Sequence, residues 1–132
     1  MPLSLIWDSE LDFHAGPDSP PLQMASSRDG MYSPMTLLAQ ALMGCMAMDV
    51  VHILQKGRHD LTGLTVSFES ERAPEPPKRY TKVHLTFRIT GGVSKDAVER
   101  AIALSHEKYC SVSNTLRQDL EFTTSIELNS GA

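Results

Sequence analysis

Apolar residues change their spacing along this chain, and each change marks a different kind of element. Residues 1–32 set short apolar pieces, Leu3, Leu5 and Trp7, then Leu11 and Phe13, then Leu22, between Gly, Pro, Asp and Ser. That pattern predicts short strands joined by turns. Ser33 and Pro34 then form a helix start, an N-cap hydroxyl followed by proline at the first helical position, and Gly57 supplies a stop. Roughly 23 residues at 1.5 Å each predict a helix about 35 Å long. From Leu64 the period becomes two, with Leu64, Val66 and Phe68 on one face and Thr65, Ser67, Glu69 and Glu71 on the other. Beyond a proline-rich hairpin loop at residues 73–79, Val83, Leu85, Phe87 and Ile89 alternate with Lys82, His84, Thr86 and Arg88, the second strand of an antiparallel pair. Ser94 caps a second helix whose stripe is Ala97, Val98, Ala101, Ile102 and Ser105. A short helix or turn follows at residues 111–118, and Phe122, Thr124, Ile126 and Leu128 define a last strand. The predicted fold class is α+β, an antiparallel sheet packed on helices, in a single domain over residues 1–132.

The long helix is unusually apolar. Leu37, Leu38, Ala41, Leu42, Met43, Cys45, Met46, Met48, Val50, Val51, Ile53 and Leu54 leave hardly any polar face, which predicts burial nearly all round. Gln40, Asp49 and His52 interrupt the run and argue against a membrane span. A chain of 132 residues has little surface with which to wrap such a helix, so a second copy is expected to cover part of it as a homodimer. The balance of 12 basic against 16 acidic residues, net charge -4, offers no basic block for nucleic acid or an anionic membrane. Residues 1–10 lack the basic region and apolar run of an export signal, so the expected location is cytoplasmic.

Two cysteines, Cys45 and Cys110, are too few for a disulfide framework, and in a reducing compartment they stay thiols. Each reads either as a small buried hydrophobe or as a chemical group. Cys45, in the middle of the apolar helix, needs a nearby cation to offset desolvation of its thiolate. Arg28, on the loop just before the helix, is the first choice, with a solvated loop arginine as the rival reading. Asp49 and His52 fall on the Cys45 face, but no paired Cys or second His completes a metal site. This seam reads as a polar contact line in which Asp49 pairs with an Arg or caps neighbouring backbone. Four methionines on the helix, Met35, Met43, Met46 and Met48, read as adaptable packing or pocket lining.

Taken together, the Ser33-Pro34 start with Gly44-Cys45 twelve residues on, the run from Asp49 to Leu54, and His106 through Cys110-Ser-Val-Ser-Asn114 resemble the OsmC/Ohr family of thiol peroxidases and related redox proteins. The resemblance implies an intertwined α+β homodimer built on a long central helix, with active sites where the chains meet. It implies that Cys45 is the peroxidatic thiol and Cys110 the resolving thiol, with an organic hydroperoxide as substrate, an external dithiol as reductant, and no metal or organic cofactor. Peroxidases of this family carry a Glu ten residues before the cysteine to orient the active-site Arg; here that position is Met35, beside Thr36. Two other readings keep the fold but change the function: a dimer holding a small hydrophobic ligand, and a thiol redox sensor.

Overall fold

The computed structural model describes residues 3–26 and 29–129. The chain falls into two units, residues 1–40 and 41–132, with the long helix α1, Pro34–Lys56, beginning in the first and continuing through the second.

In the first unit β1 (Leu5–Ser9), β2 (Asp12–Ala15) and β3 (Gln23–Met24) form an antiparallel sheet in chain order. The β1–β2 turn places Glu10 at φ 49°, and the Trp7 indole N–H donates to the Glu10 carbonyl at 2.9 Å. Leu3, Leu5, Trp7 and Leu11 nonetheless stay exposed. Ser33 caps α1 as its sequence predicts. Its hydroxyl accepts from the Thr36 N–H at 3.2 Å, and the Thr36 hydroxyl accepts from the Ser33 N–H at 2.9 Å, a reciprocal cap with Thr in the place more often taken by Glu.

The second unit holds the rest of α1, then β4 (Asp60–Arg72), β5 (Tyr80–Gly92), α2 (Lys95–Leu104), a π-helical turn (Ser105–Tyr109), α3 (Ser111–Thr115) and β6 (Glu121–Leu128). β4 and β5 pair antiparallel with Val66 opposite Phe87, and the buried side chains of β5 are Val83, Leu85, Phe87 and Ile89, the set its alternation predicts. Leu42, Met46, Val50 and Leu54, spaced at every fourth residue of α1, join them in one core with Val98, Ala101 and Ile102 of α2. Burying each large member stabilises the fold by about 1.5–3 kcal/mol. Ser94 caps α2 by accepting from the Ala97 N–H at 3.1 Å.

Two expectations are corrected here. The sheet is mixed, because β6 runs parallel to β5, with Phe122 opposite Val83 and Ile126 opposite Phe87. A parallel neighbour needs a long crossover, and α2, the π turn and α3 supply it. On the outer face His84 fixes that register, with Nδ1 2.7 Å from the Thr123 hydroxyl and Nε2 3.0 Å from that of Ser125. Secondly, α1 within one chain is not buried all round: Ala41, His52 and Gln55 are exposed, and Met48 is 74% exposed. One sheet covers one face of a helix only. Gly57 directly follows the last residue of α1, as its stop requires, and the left-handed residue of the closure is the next one. That residue is Arg58, at φ 63°, with His59 N–H donating to the Leu54 carbonyl at 3.0 Å and Arg58 N–H to that of Gln55 at 2.9 Å. This is a Schellman closure one residue later than the glycine.

Candidate functional site

Cys45 lies mid-helix on the core side of α1, partly exposed, while Cys110 is fully buried where the π turn hands over to α3. Both are free thiols, and Cys45 packs against the core cluster that contains Cys110, near enough to influence that thiol. Two residues far apart in sequence, one on the central helix and one on the crossover, thus meet in the same core.

The local chain around Cys110 is built to hold its sulfur. The π turn closes on the Cys110 N–H, which donates to the Ser105 carbonyl at 2.7 Å. Cys110 then serves as N-cap of α3, its sulfur accepting from the Ser113 N–H at 3.3 Å. The Asn114 amide donates to the carbonyls of Cys110 at 2.9 Å and His106 at 3.1 Å, so the Cys-x-x-Ser-Asn run is a small hydrogen-bonded bracket. Burial pushes the Cys110 thiol above its ordinary value; hydrogen bonds from Ser113 oppose the rise, and the neighbouring Cys45 adds to it. None of these influences is a cation. Cys110 is therefore a protonated thiol near neutral pH, and of the two cysteines Cys45 is the one that solvent reaches.

The seam beyond Cys45 is polar as its spacing suggests, with a different partner from those expected. Among the described residues Asp49 pairs with neither an Arg nor backbone; its Oδ2 accepts from the buried Ser105 hydroxyl at 2.8 Å. Asp49 and His52 also line a groove of about 560 Å³ with Ile53, Lys56, Leu104 and Tyr109. Among the described residues no cluster of three or more His, Cys, Asp or Glu side chains could hold a metal ion. His106 stacks on Phe122 with ring centroids 4.3 Å apart, and its buried Nδ1 has no hydrogen-bond partner among the described residues. Of the four methionines, Met46 is fully buried in the core and Met43 packs against it, whereas Met48 faces outward.

Residues 27–125 match the family described as OsmC-like protein. The chain belongs to this family. Protein YhfA of Escherichia coli K12 is 45% identical over 108 residues, 81% of each chain. The solved structure of a hypothetical protein from Aquifex aeolicus VF5 superposes with a TM-score of 0.88 at 27% identity, covering 99% of this chain and 97% of that one. An organic hydroperoxide resistance protein OsmC from Legionella pneumophila shares the fold, with a TM-score of 0.73 at 21% identity over 96% of this chain and 97% of that one. The α+β, OsmC-like fold read from the residues therefore holds.

Of the site residues expected from the sequence, Cys45 and Cys110 are brought together and Arg28 lies outside the described residues. Ser105 and the π turn were not anticipated as site elements. Ser105 reads in sequence only as the last member of an apolar stripe, and its partner Asp49 is 56 residues away.

Proposed function

We propose that this OsmC-like chain is a thiol-dependent reductase of organic hydroperoxides, working in the cytoplasm as a homodimer, with Cys45 as peroxidatic and Cys110 as resolving cysteine. The observation that carries the reading is that Cys45 and Cys110, far apart in sequence, are neighbours in one core, since two cysteines used only for packing have no need to meet. In the proposed cycle the Cys45 thiolate attacks the outer oxygen of ROOH, the O–O bond breaks, and ROH leaves with a proton, giving the Cys45 sulfenic acid. The Cys110 thiol displaces the sulfenic hydroxyl as water and forms the Cys45–Cys110 disulfide. An external dithiol then takes up the oxidation and restores both thiols. The partial exposure of Cys45 and full burial of Cys110 support this division of roles, because the first sulfur must meet substrate and the second only its neighbour. In the same reading Arg28 is the activating cation. The exposed Leu3, Leu5, Trp7 and Leu11, and the outward face of α1 around Met48, are the surfaces a second copy would cover.

A second reading, a thiol redox sensor or reductase acting on other substrates, is favoured by one observation. Met35 stands where the hydroperoxide reductases of the family carry their Glu, and the adjacent Thr36 hydroxyl is engaged in the cap with Ser33. The test is stopped-flow oxidation by cumene hydroperoxide with a dithiol as reductant. Turnover by the wild type and its loss in Cys45→Ser are expected. A wild type that consumes no hydroperoxide with any dithiol, yet forms the disulfide with other oxidants, would overturn the first reading in favour of the second.

A further inference from the structure

Ser105 holds a place that the two-cysteine cycle leaves without a role. It is fully buried at the junction between α2 and the π turn. Its hydroxyl donates to Asp49 on α1, while its carbonyl accepts from the Cys110 N–H. Asp49 lies one helical turn beyond Cys45 on the same side of α1. A single residue is thus fastened by its side chain to the helix that carries one thiol and by its main chain to the other thiol's residue. Ser113 and Asn114, by contrast, tie the turn only to Cys110, His106 and α3. A π turn is rare and is frequently found at functional sites. The hydroxyl to carboxylate bond is of the stronger, charge-assisted kind, well suited to fix such a turn.

We propose that Asp49 and Ser105 are a positioning pair that sets the approach of Cys110 to Cys45, and with it the ease of forming and reducing their disulfide. The inference rests on the two-cysteine reading above. The step it governs is balanced as a thiol–disulfide exchange: Cys45 and Cys110 together give up two electrons and two protons, their sulfurs bond, and an external disulfide becomes a dithiol. Neither Asp49 nor Ser105 touches the reacting oxygen. Their effect is on geometry, and hence on the effective concentration of one thiol at the other.

The test uses the whole protein in dithiothreitol redox buffers without peroxide, followed by acid quench, alkylation and mass spectrometry, which gives the equilibrium constant for the Cys45–Cys110 disulfide. Ser105→Ala and Asp49→Ala are each expected to lower it about tenfold, close to 30 mV for a two-electron couple. Asp49→Asn, which keeps an acceptor oxygen but loses the charge, is expected to fall between wild type and the alanine variants, and the double alanine variant to match the single ones because there is one bond to lose. Should Ser105→Ala fail to fold, Asp49→Glu is measured instead, since it keeps the charge but displaces the carboxylate and is expected to lower the same constant. Single variants indistinguishable from wild type, or a double variant whose loss is the product of the two, would overturn the positioning role. A wild type that forms no such disulfide in any buffer would instead overturn the two-cysteine reading itself.

Discussion

Oxidation of the thiol pair is expected to stabilise the folded chain, by an amount set by the length of chain between the cysteines. Cys45 and Cys110 are 65 positions apart, so their disulfide would close a large loop and remove that freedom from the unfolded state. Loop-closure entropy for that length gives about 4 kcal/mol at 25 °C, provided the native state takes up little strain. The two residues already pack in one core, which limits the required rearrangement. With a urea dependence of about 2 kcal/mol per molar, the unfolding midpoint rises by roughly 2 M on oxidation. The same quantity is accessible by a second route. The disulfide equilibrium constant measured in native buffer should exceed that in denaturing urea by about a thousandfold, since 1.4 kcal/mol corresponds to a factor of ten. Reduced and oxidised protein are compared by far-ultraviolet circular dichroism in urea, with Cys110→Ala as a variant that oxidation cannot cross-link internally. An unchanged or lower midpoint in the oxidised protein would mean that the native fold does not hold the sulfurs ready to bond, and the geometric basis of the functional reading would fail.

Two further outcomes follow from particular residues. Burial raises the Cys110 thiol above its unfolded value of 9.0, so the protonated form is favoured by folding; its contribution is complete below that pH and fades as pH rises toward the folded value. Reduced wild type should therefore lose stability faster than Cys110→Ala between pH 8 and pH 10 in urea titrations, by at most about 1.4 kcal/mol per pH unit, and parallel curves would refute the shift. Arg58 sits in the left-handed region at φ 63°, where a side chain is disfavoured. Arg58→Gly is expected to stabilise the protein by about 1 kcal/mol, and a lower urea midpoint would contradict the assigned closure of α1.

Much of the fold was legible because burial writes itself into spacing. The inward residues of β5 and the Ser33 cap follow from period and from local hydrogen bonding, neither of which needs distant partners. Strand direction is different. Alternation at period two is the same for a parallel and an antiparallel strand, so β6 carried no mark of its orientation; only the path of α2, the π turn and α3 decides it. The end of α1 at Lys56, directly before Gly57, follows from the stop signal, but the left-handed site that preference would give to glycine falls one residue on, at Arg58. At the site, family resemblance supplied the expectation that the two cysteines act as a pair. Their proximity was not legible from spacing, nor was the choice of Ser105 as the partner of Asp49, because both join residues that only the folded crossover makes neighbours.

The parallel crossover has a consequence for how the chain matures. Cys110 belongs to the connection between β5 and β6, and that connection is held in place at its far end by the pairing of Glu121–Leu128 alongside β5. Pairing of this kind closes a long loop and forms late, since its entropy is lost before its contacts are gained. A nascent chain emerging from the ribosome therefore presents Cys45 well before it has a fixed partner. In the two-cysteine reading the sulfurs become a redox couple only when β6 has docked, so competence to form the disulfide would report that the crossover between β5 and β6 has folded.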